Sequence, residues 1–323
     1  MSQKVLIETN QGIKEATAPV IISASRSTDV PAFYPEWFFN RLEEGWLTWV
    51  NPFNGKPLHV SFQNTRVIVF WTKNPEPVLP YLQQLDARGI GYYFTCTLND
   101  YEQEHFEPGL PALDQRIASF ITLSKRIGKE KVVWRFDPLI ITDQLKPEDL
   151  LERIKRVGDQ LAPYTEKLVF SFAEIDKYKK VKNNLKKQDV DWQAWTTDAM
   201  QTIAEGLQDL NKKWGITLAA CAEAMDFSAW GIERNKCVDD QLMIRLFSDD
   251  PLLMDFLDGG RKKSLKDKGQ RPLCGCIISK DIGQYHTCPH QCIYCYANIS
   301  PETAQKNYLK YLESNKMQEK III

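Results

Sequence analysis

Cys288, Cys292 and Cys295 carry the most specific chemistry in this chain. They lie in Thr287-Cys-Pro-His-Gln-Cys-Ile-Tyr-Cys-Tyr-Ala-Asn298, with the spacing C-x3-C-x2-C. Three thiolates so placed can hold three irons of a [4Fe-4S] cube and leave the fourth iron without a protein ligand. An open iron can bind and activate a small molecule, whereas a fully ligated cluster mostly passes electrons. Zinc is the structural alternative, but structural zinc usually takes paired C-x2-C knuckles, and here one C-x2-C follows an x3 spacing. His290 stands between two of the cysteines and His286 just before the first. Either can ligate a metal or serve as an outer hydrogen-bond partner. Tyr294 and Tyr296 flank Cys295 and can shield a cluster from water, which tunes its potential.

A second set of thiols surrounds the triad. Cys274-Gly-Cys276 forms a C-x-C pair, and Cys221 and Cys237 are the remaining cysteines of the C-terminal half. Four thiolates suffice for a zinc ion or for a closed second cluster. Cys274 or Cys276 can alternatively close the fourth iron of the triad's cube. Cys96, in an apolar run, reads as core.

The whole-chain composition narrows the setting. Hydrophobic residues make up 43% and charged residues 26% of 323, the balance of a soluble globular protein. The net charge of −1 gives no global attraction to nucleic acid or to an anionic membrane. Two basic runs, Lys177–Lys187 and Arg261–Arg271, read as a solvated helix face and a solvated loop. No apolar run reaches the roughly 20 residues of a membrane span, and the N-terminus lacks the layout of a secretory signal. A cytoplasmic location is expected, where disulfides are rare. Five of the eight cysteines fall within Cys274–Cys295, so metal binding is the default explanation.

The elements that must position these residues read as β-then-α units. Candidate strands are Val20–Ala24, Val67–Trp71, Tyr92–Cys96, Val132–Phe136, Leu168–Phe172 and Ile216–Cys221. None alternates cleanly with polar residues, which suits a parallel sheet covered on both faces. Helical patterns over Pro35–Glu44, Glu76–Arg88, Ala112–Ile127, Pro147–Leu161 and Asp191–Lys212 fill the gaps, the first three ending at a glycine. Units in series imply right-handed crossovers. The expected fold is α/β, an incomplete (β/α) TIM-like barrel of about six parallel strands with a C-terminal Cys-rich cluster loop; an open doubly wound sheet is the alternative. Residues 1–257 would form the partial barrel. Residues 258–323 would form an iron–sulfur segment packing on its mouth, entered through a polar linker at Asp258–Gln270.

Polar residues gather where the strands end: Ser23, Ser25, Arg26 and Asp29; Thr72, Lys73 and Asn74; Thr97 and Asn99; Arg135 and Asp137; Ser171 and Glu174; Cys221 and Glu223. In parallel α/β folds these ends converge on the ligand site. Arg26, Lys73, Arg135, Asp137 and Glu223 are therefore candidates to line a catalytic mouth, with Ser25, Asn74 and Tyr294 as cofactor contacts. Arginine suits bidentate pairing with a carboxylate or phosphate.

The combination of Ser23-Ala-Ser-Arg-Ser-Thr-Asp-Val-Pro-Ala-Phe33, Phe70-Trp-Thr-Lys-Asn-Pro75, Trp134-Arg-Phe-Asp-Pro138, Cys274-Gly-Cys276 and Thr287–Asn298 resembles the bacterial DUF1848 family over nearly the whole chain. That family's function is unknown. The triad is also similar to the radical S-adenosylmethionine (SAM) signature C-x3-C-x-aromatic-C. Cys-Ile-Tyr-Cys-Tyr-Ala and the Arg-Phe-Asp-Pro strand end look most like the spore photoproduct lyase branch. This second resemblance implies a partial TIM barrel and a [4Fe-4S] cluster whose open iron chelates SAM. It further implies reductive cleavage to a 5′-deoxyadenosyl radical, and an electron donor such as flavodoxin or ferredoxin. The chain departs from that superfamily in carrying its triad after the last strand unit, and in lacking an evident Gly-Gly-Glu segment.

Three functions follow as expectations. The first is a radical-SAM-like enzyme acting on a small polar substrate. The second is a metalloprotein without SAM, holding a closed cluster or zinc for electron transfer, sensing or structure. The third, a metal-assisted nucleic-acid enzyme, draws on the Arg261–Arg271 run and sits poorly with the net charge.

Overall fold

The computed structural model describes residues 3–262 and 264–322, with the side chains of residues 259–262 excepted. Lys263 and the side chains of Arg261 and Lys262, which begin the expected basic run Arg261–Arg271, therefore lie outside the described residues, as do Met1 and Ser2 of the N-terminal reading.

Among the described residues, twelve strands form two sheets. Those of the first are β1 (Gln3–Thr9), β2 (Gly12–Ala18), β4 (Trp46–Val50) and β5 (Pro57–Ser61). They are ordered β1-β2-β5-β4, with the two outer pairs antiparallel. The second sheet contains β3 (Ile21–Ala24), β6 (Val67–Thr72), β7 (Gly91–Thr97), β8 (Val132–Leu139), β9 (Lys167–Phe172), β10 (Thr217–Ala220), β11 (Ile232–Arg234) and β12 (Lys280–Asp281). Its order is β11-β10-β9-β8-β7-β6-β3-β12, and every neighbouring pair is parallel.

The α/β class and the parallel sheet agree with the sequence reading, and all six expected strands are present. The strand count is corrected from about six to eight, and the sheet is open: β11 and β12 are its edges. Two strands escaped notice because they are very short. β12 follows Cys276 by four residues, a reach of at most about 14 Å. Cys276 contacts the segment after β11, through Cys237, while β12 pairs with β3. The two ends of the sheet therefore approach each other, and the Cys-rich loop runs between them.

Both faces of the large sheet are buried. Ile22, Phe70, Phe94, Trp134 and Phe170 point to one side, where they join the main core with Trp37, Phe38, Phe120, Leu150, Ile154 and Ile203. Their chain neighbours Ile21, Val69, Tyr93, Val133 and Val169 point to the other, toward Met243, Phe247, Leu253, Cys237, Cys274 and Cys276. This two-sided burial is why the strands show no polar alternation. Each fully buried large apolar side chain contributes roughly 1.5–3 kcal/mol.

The helices are α1 (Val30–Phe33), α2 (Pro35–Glu44), α3 (Gln83–Ala87), α4 (Leu113–Ile127), α5 (Pro147–Leu161), α6 (Lys179–Lys187), α7 (Thr197–Trp214), α8 (Asp240–Leu246), α9 (Pro251–Lys262) and α10 (Pro301–Glu313). The expected helix Glu76–Arg88 is a 3-10 turn over Glu76–Tyr81 followed by α3, since Pro80 interrupts the pattern. The expected helix from Asp191 begins only at α7, where the Thr196 hydroxyl caps Ala199 N–H. α9 continues through Lys262, into the stretch expected as a linker from Asp258. The basic run Lys177–Lys187 is largely α6, which buries only Val181 and Leu185.

α5 and α7 touch closely. A methyl group on Gly158 would stand 2.4 Å from Cζ2 of Trp214. Helix propensity alone favours alanine over glycine by about 1 kcal/mol, while overpacking costs about 1–3 kcal/mol. We therefore expect Gly158→Ala to lose about 1 kcal/mol in urea unfolding; a gain would show that Trp214 swings aside freely.

Candidate metal centre

The triad loop is held over the C-terminal ends of the large sheet by a few buried polar contacts. β12 brings Asp281 beside the end of β3. There its carboxylate accepts from Ser23 Oγ (3.2 Å), Ser25 Oγ (2.8 Å), Ser27 Oγ (3.2 Å), Arg26 N (2.8 Å) and Gly283 N (3.0 Å). Gly283 packs closely here: a Cβ would fall 1.9 Å from Ser25 Oγ and 2.5 Å from its Cβ, so a larger residue would displace Ser25. Downstream, Tyr34 Oη donates to Thr287 O, and Trp49 Nε1 donates to Gly283 O at 2.9 Å. Gly109 N–H donates to His290 O at 3.0 Å. At Gly109 a Cβ would lie 2.6 Å from two backbone oxygens of the loop, so only glycine permits this approach.

Beneath the loop lies a buried ionic network. Glu107 accepts from Lys73 Nζ at 2.6 Å and from Asn99 Nδ2 at 3.2 Å, and it pairs with Arg116 at 3.7 Å. The Tyr294 hydroxyl donates to the same carboxylate and accepts from Lys73 Nζ and Asn99 Nδ2, each at 3.0 Å. Burial opposes the charge of Glu107, but Lys73 and Arg116 outweigh it and hold the carboxyl below its ordinary range. Burial likewise opposes the Lys73 ammonium, and Glu107 and Cys292 outweigh it. Tyr294, expected as a cofactor contact, thus orients the loop through its phenol. Tyr296 is half exposed and donates to Arg26 O at 2.8 Å.

The three triad thiols are half-buried. Burial pushes Cys292 and Cys288 well up, with Lys73 opposing the shift at Cys292 and Asp29 adding to it at Cys288. Such thiols give up their protons when a metal binds. Their charge neighbours include one another: Cys295 for Cys288, and both for Cys292. Neither histidine is free as a ligand through the nitrogen it already uses. His290 Nε2 meets Asp29 Oδ2 at 2.8 Å, and His286 Nδ1 accepts from Ile299 N at 2.8 Å. Asp29 also accepts from Lys73 N, so it ties β3, β6 and the triad loop together.

The second set of cysteines forms a separate buried group. Cys221 Sγ lies 3.7 Å from Cys237 Sγ. Cys276 is hydrogen-bonded to both Cys237 and Cys274. Cys274, held by its hydrogen bond to Cys276, comes down to about 7, and Cys221, bonded to Cys237 and buried, is pushed well up. Cys276 thus engages Cys237, and Cys274 joins the group through Cys276. Cys96 is buried in the main core, as expected. Among the described residues, no three His, Cys, Asp or Glu side chains stand together as a formed metal site. In donor type, the all-thiol sets fit iron–sulfur clusters and zinc; in geometry, each must still be drawn together.

The other sequence candidates are distributed between these groups. Arg135 donates to Cys237 Sγ at 2.9 Å and pairs with Asp137, which also accepts from Ser171. Arg26 and Arg135 both stack on the Trp71 ring, at 5.0 and 5.5 Å from its centroid. Arg26 Nη2 and Trp71 Nε1 are buried donors with no hydrogen-bond partner among the described residues. Glu223 accepts from Phe172 N at 3.0 Å, and burial lifts it to about 7. Ser25 is engaged with Asp281, and the Asn74 side chain accepts from Glu76 N. A small cavity beside Cys237 is lined by Tyr93, Thr95, Arg135, Lys167 and Asn235. Sequence reasoning missed Glu107, Arg116 and Asp281, whose only signal is a single charge in a loop, on the α4 helix and in a two-residue strand respectively.

Breaking a buried ion pair by removing one partner costs about 3–5 kcal/mol, so Glu107→Gln should lose stability of that order at pH 7. The wild-type carboxyl has a lowered folded pKa, so its contribution is complete above about 4.5 and disappears as pH falls through the folded value. Urea titrations of both proteins at neutral and acid pH should converge on acidification; a gap independent of pH would contradict this assignment.

A family model described as "Domain of unknown function (DUF1848)" matches residues 21–297. No curated protein matches the sequence. Among solved structures, a crystal structure from Bacteroides thetaiotaomicron VPI-5482, provisionally described as an alpha-L-fucosidase, aligns over 97% of each chain at 11% identity with a TM-score of 0.26. At that score the likeness carries no argument about fold or function.

Proposed function

The chain belongs to the DUF1848 family, whose description assigns no reaction, and we propose that it is an iron–sulfur enzyme of radical-SAM type. In this reading Cys288, Cys292 and Cys295 hold three irons of a [4Fe-4S] cluster and the fourth iron takes SAM. The observation that carries it is the C-x3-C-x2-C triad, half-buried on a loop anchored above polar strand ends. When bound, such a cluster supplies the electron that cleaves SAM to a 5′-deoxyadenosyl radical.

The chain's own residues have separate tasks. Lys73 places a positive charge beside Cys292 and favours its thiolate. Tyr294 and Asn99 fix the loop through Glu107. Arg26 Nη2 and Trp71 Nε1 are donors awaiting an acceptor, which favours a ligand carrying a carboxylate or phosphate. Gly109 and Gly283 let the chain approach the triad loop and the Ser25 turn closely, which holds the loop against the strand ends. An incomplete, curled (β/α) barrel is the finer fold that suits this reading, because it turns the strand ends toward one mouth.

Anaerobic reconstitution with iron and sulfide, followed by reduction in the presence of SAM, tests the proposal. We expect 5′-deoxyadenosine to form, and Cys292→Ala to lose iron–sulfur absorbance with its circular dichroism unchanged. No 5′-deoxyadenosine under strong reduction, together with a paramagnetic resonance spectrum indifferent to SAM, would replace this reading with a cluster that only transfers electrons or senses. Arg26→Lys should raise the SAM or substrate concentration needed for half-maximal turnover by roughly tenfold, about 1.4 kcal/mol, since lysine cannot reproduce the planar fork.

A further inference from the structure

We propose that Cys221, Cys237, Cys274 and Cys276 hold one Zn2+ in a closed tetrathiolate site that fastens the two ends of the open sheet to each other. This inference is independent of the triad and of SAM.

Two parts of the chain, far apart in sequence, deliver the four sulfurs. Cys221 follows β10 directly, and its N–H continues the ladder to Phe170 O at 2.8 Å. Cys237 lies just beyond β11. Facing them is Cys274-Gly-Cys276, pressed so closely that a Cβ on Gly275 would meet Lys236 Cγ at 2.8 Å. Ile277 N then donates to Val238 O at 3.1 Å. All four cysteines are at most 8% exposed, so a metal among them would have no open position for water. That is the mark of a structural site rather than a catalytic one.

The spacing favours a single ion over a cube. Tetrahedral zinc with Zn–S bonds of about 2.3 Å separates its sulfurs by about 3.8 Å, and Cys221 Sγ and Cys237 Sγ are 3.7 Å apart. A four-iron cluster, with an iron at each of four corners, holds its cysteine sulfurs farther apart. The remaining contacts run in series from Cys237 to Cys276 to Cys274, so binding draws the outer sulfurs toward one centre.

The surroundings suit anionic sulfur. Cys237 Sγ accepts from Arg135 Nη1 at 2.9 Å and from Asn235 Nδ2 at 3.0 Å. Cys276 Sγ accepts from the backbone N–H groups of Cys237 and Val238 at 3.3 and 3.4 Å. A neutral thiol is a weak acceptor, whereas a metal-bound thiolate accepts N–H donors well, and such donors orient a metal's ligands. On binding, the four thiol protons pass to solvent; no electron is transferred.

Zinc content measured on the full chain, with and without the triad, tests the site. The triple variant Cys288→Ser/Cys292→Ser/Cys295→Ser should retain about one zinc per chain, and zinc-edge X-ray absorption should show four sulfur neighbours at about 2.3 Å. Cys276→Ser should lower zinc retention after chelator dialysis at least tenfold. The absorption measurement needs no variant at this site, so a misfolded Cys276→Ser cannot obscure the answer. A metal-free triple variant, a nitrogen- or oxygen-dominated shell, a Cys221–Cys237 disulfide in the purified protein, or iron in place of zinc would each overturn the proposal. Loss of SAM cleavage with zinc retained would instead count against the triad reading alone.

Discussion

The arrangement of this protein depends on one carboxylate, that of Asp281. It gathers three hydroxyls and two backbone N–H groups from β3, the turn after it and its own loop. Charge-assisted hydrogen bonds of this kind are about twice as strong as neutral ones. They hold a two-residue strand in a sheet that its own ladder could barely retain. That attachment brings the chain to the strand ends, where Tyr34, Gly109, Asp29 and Glu107 then fix the triad loop.

The mouth above the sheet combines buried charge with soft sulfur. Glu107 is paired with Lys73 and Arg116 under the triad loop, and Arg135, stacked on Trp71, bridges Asp137 and Cys237. Isolated, each charge would be expensive to bury. Paired and hydrogen-bonded, they define a rigid polar floor. The two groups of thiols lie in different parts of this floor: one on a turn-rich loop with Lys73 for a neighbour, the other wedged between strand ends. Their sequence proximity had suggested that they compete for one iron; their contacts instead assign Cys276 to Cys237.

Much of this was legible in the residues alone. Val67–Trp71 and Tyr92–Cys96 announce themselves as strands because both faces are covered, so apolar residues run without interruption. The N-terminal sheet was missed because β1 and β2 are mostly exposed and mix charged with apolar residues, leaving no core signal. β12 has no local signal at all, since its partner strand is more than 250 residues away. The triad was found through spacing, which is a local property. Glu107 was not, because only the fold reveals that this glutamate, among several acidic neighbours in Tyr101–Glu107, is the buried one.

The late attachment of β12 has a consequence for the growing polypeptide. When β3 and β6 to β10 have left the ribosome, the outer edge of β3 still offers unpaired backbone groups, and its partner has yet to be translated. An open edge of that kind invites pairing with other chains, and contacts so distant in sequence form slowly. The hydroxyl-rich turn Ser25-Arg-Ser-Thr28 next to that edge, waiting for Asp281, is strongly hydrated in the meantime. The same hydroxyls that later bind Asp281 are thus free to bond water while that edge is open.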